Sequence, residues 1–205
     1  MKMEDKSSVD IIRELARLTS REVEIKEIKY NLAGFRTFPK YKKLVYMPYN
    51  SSRNNFFVWQ SDPHARIGYP TIFSGVFIPL SSRIKSRLNI RNRNILDKLN
   101  FSAKSKSNKI GSEYFDSKTV INGNIDSAER RLLSQPRIQD NIIKALGLAK
   151  YMTISINEYN VDFVPELNGS SYLSIINPQG WELERDSIEE MFRRMEKIRK
   201  TILNE

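Results

Sequence analysis

Cysteine is absent from this chain of 205 residues, and histidine occurs once. Without cysteine the protein can form no disulfide, no thiolate metal site and no iron–sulfur cluster, and it has no cysteine nucleophile. A single imidazole excludes any site that needs two histidine ligands. The G-x-x-x-x-G-K frame of a phosphate loop is missing as well. We therefore predict no metal ion and no other cofactor.

Long apolar runs are also missing. The longest apolar stretch covers residues 72–80 and is interrupted by Ser74, Gly75 and Pro79, whereas a membrane-spanning helix needs roughly 20 mainly apolar residues. The first residues contain no apolar run of signal-peptide length. The sequence therefore predicts no transmembrane segment and a cytoplasmic location, with a peripheral position at the inner membrane face as an alternative.

Positive charge is in excess. The 34 Lys and Arg side chains oppose 24 Asp and Glu side chains, which gives a formal net charge of +10. Residues 81–109 hold nine of the cations and one acid, Asp97. We interpret them as a basic, partly flexible segment, part of which forms an amphipathic helix, within a single domain that spans residues 1–205. The predicted contacts with an anionic partner are Arg83, Lys85, Arg87, Arg91, Arg93, Lys98, Lys104 and Lys106.

Such a segment attracts phosphate groups, whether they belong to nucleic acid or to anionic lipid headgroups. An acidic protein surface offers the same charge chemistry. Proteins that bind single-stranded nucleic acid also place several aromatic side chains beside their cations, but Phe101 is the one aromatic residue in this segment. Nucleic acid is therefore the alternative and not the favoured partner. A segment that is only solvated and aids solubility would explain the same charges.

Three segments are predicted to be helical. Apolar residues recur at a spacing of three to four over residues 8–19, 126–146 and 186–202. A capping-box pattern, D-x-x-E, marks the start of each of the last two. Pro136 divides the middle segment, because proline is tolerated at the first position of a helix and not in its interior.

Short runs of β-branched and aromatic residues between turn clusters predict strands. Residues 21–30 fit either a bulged strand or a continued helix. Since strands and helices do not alternate regularly, we predict an α+β fold with a largely antiparallel sheet, an N-terminal helix, a broken central helix and a long C-terminal amphipathic helix packed on the sheet. The predicted strands are residues 43–48, 55–60, 71–80, 118–121, 152–156, 161–165 and 171–176.

Aromatic residues are dense among the predicted strands of the first half of the chain. Above a sheet, such side chains either line a ligand pocket or belong to the core. The sequence leaves both interpretations open. The predicted pocket-lining residues are Tyr46, Phe57, Trp59, Phe73 and Phe77.

Catalytic patterns are weak. His64 has Asp62 two residues away on a predicted turn, where a solvated histidine is the ordinary finding. Glu24 and Lys26 match half of a metal-dependent nuclease motif, which needs a further acid on an adjacent strand. The same residues are explained by alternating charges on a half-exposed strand, which pair with charges on the neighbouring strand. We therefore predict a non-catalytic protein, with a nuclease as the less favoured alternative.

The stretch Phe73-Ser-Gly-Val-Phe77 resembles the F-x-G-x-F strand of a bacterial family of unknown function. Members of that family carry two transmembrane helices ahead of a soluble α+β domain. The order of the elements that follow is similar over residues 70–205, from an S-E-Y-F segment at Ser112 to the closing helix at Asp186. The two membrane helices have no counterpart here. The resemblance implies an α+β domain without an assigned activity, working beside the inner face of a membrane.

These observations lead to two hypotheses. The first is a non-catalytic binding or interaction domain that contacts an acidic partner, an anionic membrane surface or a small ligand. The second is a nucleic-acid-binding protein that uses residues 83–109.

Overall fold

The structure is a computed structural model that describes residues 7–29, 41–62, 72–80, 84, 86–94, 97, 109–178 and 183–203. In these residues the chain forms one eight-stranded sheet and five helices. Every strand pairing is antiparallel. The predicted α+β class with an antiparallel sheet is therefore confirmed.

The sheet consists of two halves. Its strands are β1 (Glu24–Lys29), β2 (Tyr41–Pro48), β3 (Phe56–Ser61), β4 (Ile72–Pro79), β5 (Leu88–Asn92), β6 (Thr119–Gly123), β7 (Thr153–Ile156) and β8 (Tyr172–Asn177). Their order is β1-β2-β3-β4-β8-β7-β5-β6. The first four strands are neighbours in chain order, whereas the other four follow in the order β8, β7, β5 and β6. The pairing of β4 with β8 joins the two halves.

The helices confirm the three predicted helical segments, including the break before Pro136. They are α1 (Ser8–Leu18), α2 (Glu113–Lys118), α3 (Ser127–Leu133), α4 (Pro136–Leu146) and α5 (Arg185–Leu203). The short helix α2 was not predicted. It begins at an N-cap, Ser112, whose hydroxyl accepts a hydrogen bond from the Phe115 N–H at 3.3 Å.

The two capping-box patterns have different outcomes. In α3 the backbone N–H of Glu129 donates to Asp126 at 3.0 Å, and the Asp126 N–H donates to the Glu129 carboxylate at 2.5 Å, as predicted. The prediction of a capping box at the start of α5 is wrong, because this helix already begins at Arg185 and Asp186 lies in its first turn. In this position the negative charge of the Asp186 carboxylate still interacts favourably with the positive end of the helix dipole.

The helices share one face of the sheet and form the main core with it. Alternate residues of the strands point to this face, and the apolar faces of α1, α4 and α5 pack against them. Phe57 and Trp59 of β3 are fully buried there, together with Phe192 of α5. The long C-terminal helix therefore packs on the sheet, as its amphipathic pattern predicted.

The opposite face carries a second core. Residues 157–171 connect β7 to β8 and lay Tyr159, Val161 and Val164 over Phe73 and Phe77 of β4. Both faces of the central strands are thus covered, which explains their continuous apolar runs.

Hydrogen bonds anchor this covering segment. The Tyr172 hydroxyl accepts from the Tyr159 N–H at 2.7 Å and donates to the Tyr159 carbonyl oxygen. The Asn157 side chain donates to the Ile84 carbonyl oxygen at 2.7 Å and accepts from the Tyr172 N–H at 3.0 Å. Burial raises the pKa of the Tyr159 hydroxyl to about 12, so it stays protonated.

One sequence prediction is corrected here. Residues 161–165 are a turn and not a strand, because Val161 and Val164, three residues apart, are both buried in the second core, whereas a strand would place them on opposite faces. Residues 88–92 of the basic segment form the strand β5, paired on both sides, at a place where no strand was predicted. The buried Leu88 and Ile90 alternate with partly exposed neighbours, which is the period of a strand. Residues 21–30, whose sequence fits either a bulged strand or a continued helix, contain the strand β1.

Gly75 lies where β4 pairs with β8, so a substitution there tests how closely these two strands must approach. A Cβ atom at this position would lie 2.2 Å from the Ile175 carbonyl oxygen on β8. We expect Gly75→Ala to destabilise the fold by about 3 kcal/mol, the upper end of overpacking costs, because backbone cannot yield as a side chain can. Urea unfolding would measure the change.

Gly147→Ala is the matched control. Its nearest neighbour, the Lys144 carbonyl oxygen, would lie 3.4 Å from the new Cβ, and its φ of −80° suits alanine. The free energy of unfolding should change by less than about 0.5 kcal/mol. Equal stability of both variants would show that the close approach of β4 and β8 is not a constraint.

Candidate functional site

The structure describes part of the predicted anion-binding set. Arg87 is exposed just before β5, Arg91 lies on β5, and Arg93 follows that strand. The remaining members lie outside the described residues. They are Arg83, Lys85, Lys98, Lys104 and Lys106.

Arg91 forms a two-point ion pair. Its Nη1 and Nη2 donate to the Asp97 carboxylate at 2.6 and 2.7 Å. Asp97 also accepts from the Asn94 N–H at 2.8 Å. The hydrogen bonds from Arg91 lower the pKa of Asp97 to about 2. Arg91 is therefore engaged by the single acid of its own segment, in a geometry that Arg suits well.

Arg93 supports the chain beside it. Its Nη2 donates to the carbonyl oxygens of Asp116 and Thr119 at 2.9 and 3.0 Å. These oxygens lie at the end of α2 and the start of β6, so Arg93 holds the junction of two elements. Of the three described members of the predicted set, Arg87 is the one with an exposed side chain.

The predicted pocket-lining aromatic residues do not share a pocket. Phe57 and Trp59 are fully buried in the core on the helix side, whereas Phe73 and Phe77 are buried in the second core on the other face. The fifth residue, Tyr46, is half-buried and lines a recess of about 200 Å³. The core interpretation therefore fits four of the five side chains.

Three exposed arginines lie on α3 and α4, outside the predicted set. We define the α3–α4 basic surface as Lys109, Arg130, Arg131 and Arg137, all of which are exposed. The Arg130 Nη1 donates to the Lys109 carbonyl oxygen at 2.7 Å, so the last residue of the basic segment lies against α3. The sequence signal was the helical phase, which puts Arg131 on the side of α3 opposite the buried Leu133.

Four carboxylates near this surface have other partners. Asp126 and Glu129 form the capping box of α3, and burial raises the pKa of Glu129. Asp116 accepts hydrogen bonds from two backbone N–H groups, at 3.1 and 2.9 Å. Asp140 pairs with Lys144 at 2.6 Å. Among the described residues, no ion pair engages Arg131 or Arg137.

A recess of about 480 Å³ lies between the end of α1 and the turn that joins β2 to β3. No sequence pattern indicated this recess, because its two walls are distant in the chain and meet through the packing of the helix layer on the sheet. Its lining residues are Thr19, Ser20, Arg21, Glu22, Pro48, Tyr49, Asn50, Ser51 and Arg53.

Arg21 lines the recess and is held in place by contacts within the protein. Its Nη1 and Nη2 donate to Glu189 of α5 at 2.5 and 2.9 Å, and its Nε donates to the Tyr49 carbonyl oxygen at 2.9 Å. The guanidinium carbon lies 4.8 and 4.9 Å from the ring centroids of Tyr49 and Phe192. Each of its three nitrogens has a partner, and 11% of the side chain is exposed.

Arg53 is more accessible. Its Nε pairs with Glu166 of the segment that covers the second core, and its Nη1 lies 3.2 Å from Glu22. One third of its side chain, 33%, is exposed. The hydrogen bond to Glu166 raises the pKa of the guanidinium, so this charge is fixed.

The residues of the nuclease hypothesis lie on the edge strand β1. Glu24 and Lys26 line the smaller recess beside Tyr46, whose pKa is raised by burial and by the charge of Glu24. Within the described part of the chain, no group of three or more histidine or acidic side chains is placed to hold a metal ion. His64 lies outside the described residues.

None of the described helices combines the length and the apolar character needed to cross a membrane. Comparisons with protein-family models, with curated proteins and with solved structures found no match for this chain. The resemblance over residues 70–205 therefore stays a prediction.

The ion pair of Arg91 and Asp97 predicts a dependence of stability on pH. The pKa of Asp97 falls from 3.8 to about 2 on folding. Its contribution is therefore complete above about pH 5 and is lost as the pH falls through 3.8 towards 2. We expect Asp97→Asn to lower the free energy of unfolding by about 1–2 kcal/mol at pH 7 and by much less near pH 2.

Asp140→Asn is the control for that measurement. The Asp140–Lys144 pair is about half-exposed on α4, and exposed pairs of this spacing contribute about 0.3–0.5 kcal/mol. Denaturant unfolding of both variants between pH 7 and pH 2 separates them. A difference between wild type and Asp97→Asn that does not shrink on acidification would contradict the assignment.

Arg21 gives a second prediction from this site. Arg21→Ala removes a largely buried ion pair and two cation–ring contacts, so we expect a loss of about 2–3 kcal/mol in the free energy of unfolding. Arg13→Ala, on the exposed side of α1, should cost less than about 0.5 kcal/mol. Thermal or urea unfolding would measure both, and similar losses would refute the structural role of Arg21.

Proposed function

We propose that this chain is a non-catalytic binding domain that contacts an acidic partner, either an acidic protein or an anionic membrane surface, through the α3–α4 basic surface. The observation that carries this proposal is the exposure of Arg130, Arg131 and Arg137 while four carboxylates of the same region are engaged elsewhere. Positive charge without local compensation is what attracts an anionic surface.

The position of Lys109 supports the same conclusion. Its backbone contact with Arg130 joins the end of the basic segment to α3. Lys109 and Arg130 are therefore adjacent on this surface. Each cation near an anionic lipid surface contributes roughly 1 kcal/mol to binding.

The contacts described above remove two of the predicted anion-binding residues, Arg91 and Arg93, as candidates for binding a partner. Arg91 and Arg93 hold Asp97 and the end of α2, so reversing their charge would disturb the fold as well as any binding. They are unsuitable as probes of function. The exposed arginines of α3 and α4 are more suitable, because their side chains face solvent and the one side-chain contact that the described part of the chain gives them is the hydrogen bond from Arg130 to the Lys109 carbonyl oxygen.

Nucleic-acid binding is the second candidate, and one observation favours it. Tyr114 of α2 is 51% exposed, and the Lys118 Nζ lies 4.0 Å from its ring centroid. An exposed aromatic ring beside a cation is the element on which single-stranded bases stack. Helix α2 packs against α4, which carries Arg137.

The test compares two charge-reversal variants of the whole chain. The first is Arg130→Glu/Arg131→Glu/Arg137→Glu. Binding to phosphatidylserine vesicles, to phosphatidylcholine vesicles, to polyglutamate and to DNA and RNA oligonucleotides is measured at about 0.15 M salt, where distant charges are screened. We expect the first variant to lose at least about tenfold in affinity for the acidic ligand that the wild type binds.

The matched control is Arg193→Glu/Lys197→Glu/Lys200→Glu on the exposed side of α5. Each triple variant lowers the formal net charge by six, from +10 to +4. An effect of total charge would weaken binding equally in both variants, and that result would overturn the proposal. Tight binding of oligonucleotides but not of vesicles or polyglutamate would replace it with the second candidate.

A further inference from the structure

The recess beside Arg53 is separate from the α3–α4 basic surface and has the size of a small-molecule site. Its volume of about 480 Å³ lies within the 300–1,000 Å³ that is usual for ligand pockets. Two short stretches of chain form it, residues 19–22 after α1 and residues 48–53 between β2 and β3.

The two arginines of the recess differ in what they can offer a ligand. Every nitrogen of Arg21 already donates to Glu189 or to the Tyr49 carbonyl oxygen. Arg53 has one nitrogen directed at Glu22, whose side chain is 83% exposed. Because such an exposed pair contributes little to stability, an external anion can take the place of the Glu22 carboxylate on Arg53.

The turn holds Arg53 in position before any ligand arrives. Its backbone has a φ of +48°, a conformation that side-chain-bearing residues seldom adopt. The Arg53 N–H donates to the Asn50 carbonyl oxygen at 3.1 Å, and the Asn50 side chain accepts from the Ser52 N–H at 3.1 Å. Glu166 fixes the other side of the guanidinium. A held donor loses little freedom on binding.

Hydroxyl groups complete the lining. Ser20 and Ser51 are exposed at the edge of the recess, and their side chains have no hydrogen-bond partner among the described residues. Serine hydroxyls donate to oxyanions. A single arginine with neutral donors around it suits one negatively charged group on a small polar molecule.

We propose that this recess binds a small oxyanion-bearing molecule, a carboxylate or a phosphate, that takes the place of Glu22 on Arg53. The Glu22 side chain then swings into solvent. This inference is independent of the proposed contact with an acidic partner. It concerns a different region of the protein, and its ligand is a small molecule and not a protein or a membrane surface.

The test is a titration of the ¹⁵N-labelled full chain with sodium acetate and with sodium phosphate, followed by backbone amide shifts. Sodium chloride keeps the ionic strength constant. We expect saturable shifts at Ser20, Ser51 and Arg53, with a dissociation constant of about the millimolar order for these minimal probes. The two salts distinguish a carboxylate site from a phosphate site.

Glu22→Gln is the decisive variant. It removes the internal competitor at an exposed position, so the probe should bind about threefold more tightly, the factor that corresponds to a weak surface ion pair. Arg53→Gln should weaken binding at least about tenfold, the factor for a charged hydrogen bond. Because Arg53 also holds Glu166, the gain in Glu22→Gln is the result that a purely structural role cannot produce.

Arg13→Gln, an exposed arginine of α1 that pairs with Asp10, is the matched control and should leave the dissociation constant unchanged. The proposal is overturned if neither salt gives saturable shifts at the recess, or if Glu22→Gln binds no more tightly than the wild type. Equal weakening in Arg13→Gln and Arg53→Gln would also overturn it, since it would indicate a general effect of charge.

Discussion

The pairing of β4 with β8 is the constraint on which the rest of the structure depends. It joins the strands β1 to β4 to the other four strands of the sheet. The strands approach so closely at Gly75 that a methyl group has no room. With this junction formed, the helices pack on one face and residues 157–171 cover the other. The recess beside Arg53 also depends on it, because α5, which supplies Glu189, packs over β4 and β8.

Local signals predicted much of this architecture. Helical periodicity, the break before Pro136 and the capping box of α3 were visible in the sequence because they depend on neighbouring residues. Residues 161–165 were wrongly predicted as a strand, because the sequence alternates there in a strand-like way, whereas the turn buries Val161 and Val164, three residues apart, in the second core. The strand β5 was obscured by its arginines. Its partners β6 and β7 lie far along the chain, and that pairing leaves no local signal.

The candidate sites show the same division between local and distant information. The numbers of lysine and arginine residues revealed an excess of positive charge. They did not distinguish the side chains that have partners within the protein from those that face solvent. Arg91 has Asp97 and Arg93 has backbone carbonyl oxygens, whereas Arg131 and Arg137 extend into solvent. The aromatic residues of β3 and β4 were divided between two cores by the alternation of their strands. A recess between residues 19–22 and 48–53 has no signature in either stretch alone.

The junction of β4 and β8 also has a consequence for synthesis on the ribosome. Strand β4 ends at Pro79, and its partner β8 begins at Tyr172. At a translation rate of about 5–20 residues per second, β4 waits roughly 5–20 seconds for its partner. During that interval its apolar edge is open to other chains. The nascent protein is therefore most vulnerable to misassembly after its first four strands have emerged, and a chaperone that shields β4 would act in that interval.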